Sequence, residues 1–203
     1  MNLKTLNSED FIFFSTRDYA LLSDLSISAA TEQLKRLEVK GLIIKLTRGV
    51  WANINHPYFS PIAATPYLLN NEQGYVSFLS ALNRHGIISQ IPQNIQIAST
   101  GRPRKLQTSI ANYEFIQLNP SMFLDGIDWS PSQIRYLIAS PEKALLDTLY
   151  LSTRKGNRFA ALPELDLSSN FSKQKFNKLL NKCVTDKRIK SAILSKMEEL
   201  LHL

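Results

Sequence analysis

Cysteine and glycine are scarce in this 203-residue chain, which contains one cysteine, Cys183, and seven glycines. A single cysteine excludes an intramolecular disulfide and a zinc site built from several thiolates. The glycines form neither the Gly-x-x-x-x-Gly-Lys nor the Gly-x-Gly-x-x-Gly pattern, which excludes the common phosphate-binding loops. No apolar run approaches the roughly 18 residues of a membrane-spanning helix, and the first residues do not show the pattern of a secretion signal. We therefore expect a globular protein of the cytoplasm.

Positive charge is in excess and unevenly distributed. The chain has 24 Lys and Arg against 17 Asp and Glu, a net charge of +7. Residues 171–203 hold eight basic and three acidic residues, whereas residues 1–55 and 56–170 are nearly balanced. A basic C-terminal segment is typical of the solvated face of a Lys-rich amphipathic helix, and the alternative is a surface for nucleic acid or an acidic protein.

A long amphipathic helix is predicted from Ala29 to Lys40. Four apolar residues recur at helical spacing and define its packing face: Ile27, Ala30, Leu34 and Leu37. Ser28 is placed to cap its start, and Gly41 follows its end, where a left-handed residue is favoured. A shorter capped helix before it is predicted over the run Tyr19-Ala20-Leu21-Leu22, which Ser15, Thr16 and Asp18 precede.

Two strands, residues 42–46 and 50–54, are expected on either side of a tight Thr-Arg-Gly turn. Helix, turn, helix and hairpin in this order predict a winged helix-turn-helix in residues 1–55, which places its second helix in the DNA major groove. On the helix side away from the apolar face we expect DNA contacts from Ser28, Ala29, Thr31, Glu32, Lys35 and Arg36. Phosphate contacts are expected from Arg17, Lys45 and Arg48. The alternative is a small packing or protein-docking module.

Residues 56–203 are predicted as a separate mixed α/β domain with a small sheet and a helical tail, so that the fold class is α+β. The expected strands are Ile95–Ala98, Tyr113–Leu118 and Ile134–Ile138, and the expected helix caps are Ser77, Ser140 and Ser172. A basic loop with Arg102, Arg104 and Lys105 is a further candidate for contact with the DNA backbone. We expect this domain to fold without residues 1–55.

The chain shows no convincing catalytic, metal or cofactor site. Its three histidines, His56, His85 and His202, lack the spacing of metal ligands. Asp125, Asp128 and Glu142 with Lys143 resemble a metal-dependent phosphodiesterase set only weakly. Glu142 is better explained as an acid in a helix's first turn, and Asp147 as a partner of Lys143 one turn earlier.

Three segments together resemble the AbiEi-type antitoxin family: Gly41-Leu42-Ile43 with Arg48-Gly49-Val50-Trp51-Ala52, the run from Tyr75 to Leu82, and the run from Ile138 to Asp147. The resemblance covers residues 10–151 and does not extend to the basic tail. It implies an N-terminal winged helix that represses its own operon by binding inverted repeats. It also implies a C-terminal domain that counters a toxin similar to nucleotidyltransferases.

The leading interpretation is therefore a non-enzymatic DNA-binding repressor that acts as the antitoxin of a toxin–antitoxin operon. Its expected partners are double-stranded operator DNA and a cognate toxin, and no cofactor or membrane is expected. One alternative is a stand-alone transcription regulator whose second domain senses a ligand or dimerises. Another is a nuclease tethered to DNA by its winged helix.

Overall fold

Two β-sheets organise the chain into a mixed α+β fold. The structure is a computed structural model that describes residues 8–154, 158–159, 161–167 and 171–201. The helices in this part are α1 (Thr16–Leu22), α2 (Ile27–Val39), α3 (Thr65–Leu68), α4 (Phe78–Arg84), α5 (Pro141–Ser152), α6 (Lys173–Cys183) and α7 (Lys187–Leu201). The strands are β1 (Phe13–Ser15), β2 (Ile44–Thr47), β3 (Val50–Ala52), β4 (Gly74–Val76), β5 (Ile95–Ser99), β6 (Arg104–Gln107), β7 (Asn112–Gln117), β8 (Ile127–Trp129) and β9 (Leu137–Ala139). Short 3₁₀ turns lie at Glu9–Phe11, Pro61–Ala64 and Pro120–Phe123.

The two sheets differ in pairing. The first is antiparallel with the order β1-β3-β2, so the predicted hairpin gains a third strand from the segment before α1. The second sheet is mixed and has the order β6-β7-β5-β4-β9-β8. Its β4–β9 and β5–β7 pairs are parallel, and its other pairs are antiparallel.

Serine caps fix the starts of the N-terminal helices. Ser15 and Asp18 form a reciprocal capping box at α1, so this helix begins at Thr16, ahead of the predicted run from Tyr19 to Leu22. The predicted start of α2 was wrong by two residues, since the helix begins at Ile27 and not at Ala29. Ser26, and not Ser28, has the extended cap conformation and accepts a hydrogen bond from Ala29 N (3.2 Å). Ile27 therefore sits in the first turn and is 52% exposed, outside the packing face expected for it.

The three-stranded sheet packs on both faces. Phe14 and Trp51 point into a small core with α1 and α2, where Ala30 and Leu34 are fully buried. The alternate residues on the same strands, such as Phe13, join the large core of the second part of the chain, which contains the six-stranded sheet. Because side chains alternate along a strand, this one sheet connects both cores.

The second part differs from the prediction in the extent of its sheet and in one strand. Six strands replace the three expected, and β4, β6 and β8, each three or four residues long, were not predicted. The run Ile134–Ile138 forms a strand only from residue 137, where β9 pairs with β4 and β8. Ser140 and Ser172 cap α5 and α6 as expected, each accepting a hydrogen bond from the third backbone N–H beyond it.

The last two helices cover α5 with apolar residues and turn their basic residues outward. Phe176 and Ile193 are fully buried in the large core. The exposed cations in the described part of this tail include Lys173, Lys175, Lys178, Lys187 and Arg188. Among the described residues, no helix has the length and apolar character needed to cross a membrane.

Candidate nucleic-acid interface

The outward face of α2 is uncovered and mainly polar, and its apolar residue Val39 is 88% exposed. Ser28, Ala29, Glu32, Lys35 and Arg36 are all exposed, as the sequence predicts. Ser28 and Ala29 are small and lie in the first turn, so a second molecule meets little steric resistance there. The N-terminal half of this face is therefore accessible for close contact.

Two side chains on this face are already held in place. Lys35 Nζ donates to Glu32 Oε1 (2.8 Å), and this hydrogen bond with the lysine charge lowers the pKa of the Glu32 carboxyl. Both side chains are more than half exposed, so the pair is screened by water and is easily exchanged for other partners. Thr31 is half-buried, and its hydroxyl donates to Ile27 O (2.7 Å), which leaves its oxygen lone pairs as acceptors.

Beside this face lies a concavity, here called the basic groove. It runs between the starts of α1 and α2 and the β2–β3 hairpin, and its lining includes Arg17, Thr31, Lys45, Arg48, Asn70 and Asn71. Three predicted phosphate contacts thus meet in one place, although they are up to 31 positions apart in the sequence. Among the described residues, none that lines the groove is acidic.

Local structure explains how the hairpin reaches the groove. Gly49 has a φ of +77°, a left-handed conformation that glycine adopts without strain, and it closes the turn that carries Arg48. Thr16 ties the hairpin to α1, since its backbone N–H donates to Gly49 O (2.9 Å) and its hydroxyl accepts from Trp51 Nε1 (3.0 Å). The turn is therefore fixed next to the first residues of α1.

The second predicted basic segment lies elsewhere. Arg102 and Lys105 are exposed, but neither lines the basic groove. Arg104 is engaged inside the protein: its Nη1 donates to both Glu72 carboxylate oxygens (2.9 and 2.7 Å), and its guanidinium lies 3.8 Å from the centre of the Phe115 ring. We therefore remove Arg104 from the direct DNA contacts and keep Arg102 and Lys105 as predictions outside the groove.

The acidic residues considered for catalysis do not converge. Asp125 pairs with Lys182 (2.7 Å), whereas Asp128 is exposed on the edge strand β8. Glu142 is buried and accepts from Ser140 Oγ (3.0 Å) and from Ser172 N (2.9 Å). In the part of the chain that the structure describes, no three His, Cys, Asp or Glu side chains are grouped so as to hold a metal ion. His85 bonds to Ala139 O (2.8 Å), and His202 lies outside the described residues.

A buried polar cluster joins the runs from Tyr75 to Leu82 and from Ile138 to Asp147, two of the three segments quoted above for the resemblance. Lys143 and Asp147, both fully buried, form the predicted ion pair. Asp147 Oδ2 also accepts from Tyr75 OH (2.9 Å) and from Ser77 Oγ (2.7 Å). The prediction that the Ser77 side chain caps α4 was wrong, because its hydroxyl is used here instead. Burial and the neighbouring carboxylate raise the pKa of Tyr75 well above its ordinary value. The cluster is enclosed, which suits a role in fixing β4 against α5.

Comparisons with protein-family models and with curated proteins gave no match for this chain.

Proposed function

We propose that the chain is a DNA-binding transcription regulator in which residues 13–52 act as a winged helix-turn-helix. The observation that carries this proposal is the uncovered polar face of α2 lying next to a groove with three cations and no acidic lining residue among those described. An α-helix fits the DNA major groove, and cations beside it fit the flanking phosphates. The order β1-β3-β2, with two helices between β1 and β2, suits this mode of binding.

Each exposed side chain has a chemical role in this proposal. The small Ser28 and Ala29 allow α2 to enter the groove closely. Glu32 accepts from a cytosine amino group, and Lys35 donates to a guanine edge or a phosphate once their mutual ion pair opens. Thr31, with its hydroxyl proton bound to the helix backbone, offers an acceptor and a methyl group. The flanking cations Arg17, Arg36, Lys45 and Arg48 contact phosphates, and Arg102 and Lys105 are proposed as more distant contacts.

Selection from a random DNA pool tests sequence recognition. We expect the parent protein to enrich one sequence, and Lys35→Ala to relax that preference at a cost of about 1–3 kcal/mol in specific binding. Lys173→Ala is the matched control, because Lys173 is also an exposed helical lysine but lies on α6. An unenriched pool, or equal effects of the two variants, would contradict the proposal.

We further propose that the protein represses its own operon and acts as an antitoxin in the cytoplasm. The support is the AbiEi-type resemblance, whose two more specific segments pack together through the Tyr75, Ser77, Lys143 and Asp147 cluster. Co-expression with the product of the neighbouring reading frame tests it. Growth should be rescued by the parent protein and by Lys35→Ala, since repression and neutralisation are assigned to different parts. A toxic neighbour that this protein does not counter would refute the antitoxin role.

In this proposal the protein acts by binding and not by catalysis. The nuclease alternative is tested by incubating the protein with supercoiled plasmid and Mg²⁺ or Mn²⁺. We expect no nicking. Metal-dependent nicking that Asp128→Ala abolishes would establish the nuclease instead, because Asp128 is the exposed acid of the set considered above.

A further inference from the structure

The second part of the chain contributes two side chains to the basic groove. Asn70 and Asn71, in the loop between α3 and β4, line it together with Arg17, Lys45 and Arg48. Both asparagines are exposed, and their φ angles are +44° and +68°. Asparagine tolerates this left-handed conformation better than other residues with side chains. The loop thus presents two neutral amides beside three cations.

The loop is held at both of its ends by one arginine. Arg104 Nη2 donates to Leu68 O (3.1 Å) before the asparagines, and Arg104 Nη1 donates to the Glu72 carboxylate after them. Ser99 Oγ donates to the same carboxylate (2.8 Å). Burial opposes ionisation of Glu72, but the hydrogen bonds from Arg104 and Ser99 leave the pKa of its carboxyl below the ordinary value.

Close packing further restricts the hydrogen-bonded pair of Arg104 and Glu72, here called the anchor of the loop. A Cβ on Gly101 would lie 2.0 Å from the Glu72 carboxyl carbon, so the anchor fits only beside a glycine. The guanidinium of Arg104 is also stacked on Phe115. The segment between residues 68 and 72 is therefore fixed to the six-stranded sheet while its middle faces the groove.

We infer that the basic groove seats a backbone phosphate of duplex DNA, that Asn70 and Asn71 donate amide N–H groups to it, and that Arg104 is the positioning residue for their loop. This inference rests on the proposed function. A cation that neutralises a phosphate releases counterions, whereas a neutral amide does not. The asparagines therefore contribute affinity without contributing to its salt dependence, which separates their role from that of Arg48.

The test uses the full chain and a fluorescent mixed-sequence duplex of about 30 base pairs, since phosphate contacts do not depend on sequence. Glycine keeps the left-handed backbone, so we expect Asn70→Gly/Asn71→Gly to weaken binding about tenfold or more with an unchanged slope of log K against log salt. Arg48→Ala should weaken binding and flatten that slope. Gln73→Ala, which removes a nearby amide outside the groove lining, should change neither.

Arg104 is tested by the same measurement. Arg104→Met should weaken binding with an unchanged salt slope and should add little to the asparagine double variant, because both act through one loop. Arg104→Lys, which keeps the charge but cannot make all of these hydrogen bonds, should behave similarly and serves as the second variant if Arg104→Met does not fold. A flatter slope in Arg104→Met would make Arg104 a phosphate contact itself and overturn the positioning role.

Two further results separate the inference from the proposed function. In the first, the parent protein binds DNA, Arg48→Ala weakens that binding, and the asparagine double variant binds like the parent. The inference is then overturned and the proposed function stands. If the parent protein binds neither this duplex nor any selected sequence, both fall.

Discussion

The buried pair of Lys143 and Asp147 gives the sharpest prediction about stability. Both side chains are 0% exposed, so Asp147→Asn leaves the lysine ammonium without its counter-charge in a place that water does not reach. Removing one partner of a buried ion pair costs about 3–5 kcal/mol. Since typical domains unfold with a free energy of about 5–15 kcal/mol, the variant should lose a large part of its stability.

A double-mutant cycle measured by urea unfolding checks the reasoning. In Lys143→Met/Asp147→Asn both charges are gone, and the new amide oxygen still accepts from Tyr75 and Ser77. The double variant should therefore be more stable than Asp147→Asn alone. Lys182→Met is the control, because its ammonium pairs with Asp125 at an exposed site, where such pairs contribute about 0–1 kcal/mol.

The pH dependence of Lys143→Met has a defined sign. Burial raises the pKa of the Asp147 carboxyl above its ordinary value, while the Lys143 charge and the hydrogen bonds to Asp147 act in the opposite direction. Without the lysine charge the pKa of the Asp147 carboxyl rises further, so protonation of this carboxyl favours the folded state. The variant should be most stable below the unfolded pKa of about 3.9 and lose stability as the pH rises towards the folded pKa. The reasoning about the buried pair is refuted if the unfolding free energy of Asp147→Asn lies within about 1 kcal/mol of that of the parent protein. The pair would then contribute no more than an exposed ion pair does.

Four other predictions concern the groove, two local conformations and the shared sheet. In DNA titrations, Arg48→Ala should reduce the slope of log K against log salt by about 0.9, one phosphate contact; an unchanged slope removes Arg48 from the interface. Gly126→Ala should lower the urea midpoint, because φ is +78° and the new Cβ would lie 2.9 Å from Lys143 Cβ. Ser15→Ala should cost about 1 kcal/mol of unfolding free energy through loss of the capping box, and Ser15→Asp should restore most of it. Deleting residues 1–55 removes the three-stranded sheet, whose residues such as Phe13 belong to the large core. The fragment should therefore aggregate during gel filtration, contrary to the expectation from sequence, and a stable monomer would refute this.

The sequence predicted the elements whose signals are local. Serine caps, the left-handed glycines and the apolar spacing of α2 each depend on a few neighbouring residues. The structure confirms the caps at Ser140 and Ser172 and the burial of Ala30 and Leu34. It moves the cap of α2 to Ser26, leaves Ile27 exposed and uses the Ser77 hydroxyl elsewhere. Strand β1 gave no such signal, because Phe11, Ile12, Phe13 and Phe14 are all buried and show no alternation between polar and apolar residues. Its partner β3 lies more than 30 residues away, and pairing over that distance is not readable from the pattern.

The same distinction applies to the candidate site. The exposed face of α2 follows from its periodicity, so its polar residues could be named in advance. Arg104 and Glu72 are 32 positions apart, and nothing in a run of basic residues distinguishes an arginine that pairs internally from one that faces solvent. Asn70 and Asn71 were missed because a two-residue polar loop is ordinary until the fold places it beside the hairpin.

The balanced charge of residues 1–55, which leaves the packing or protein-docking alternative open, is compatible with a basic surface once three of the six acidic residues are located. Asp18 is used in the capping box of α1, and Glu38 accepts from the backbone N–H of Lys45 (3.2 Å). Glu32 is paired with Lys35 on the outward face of α2. These carboxylates serve local structure, and none of them lines the groove that contains Arg17, Lys45 and Arg48. Because the field at a phosphate is dominated by charges within about 8–10 Å at physiological salt, the local arrangement governs binding more than the segment's net charge does.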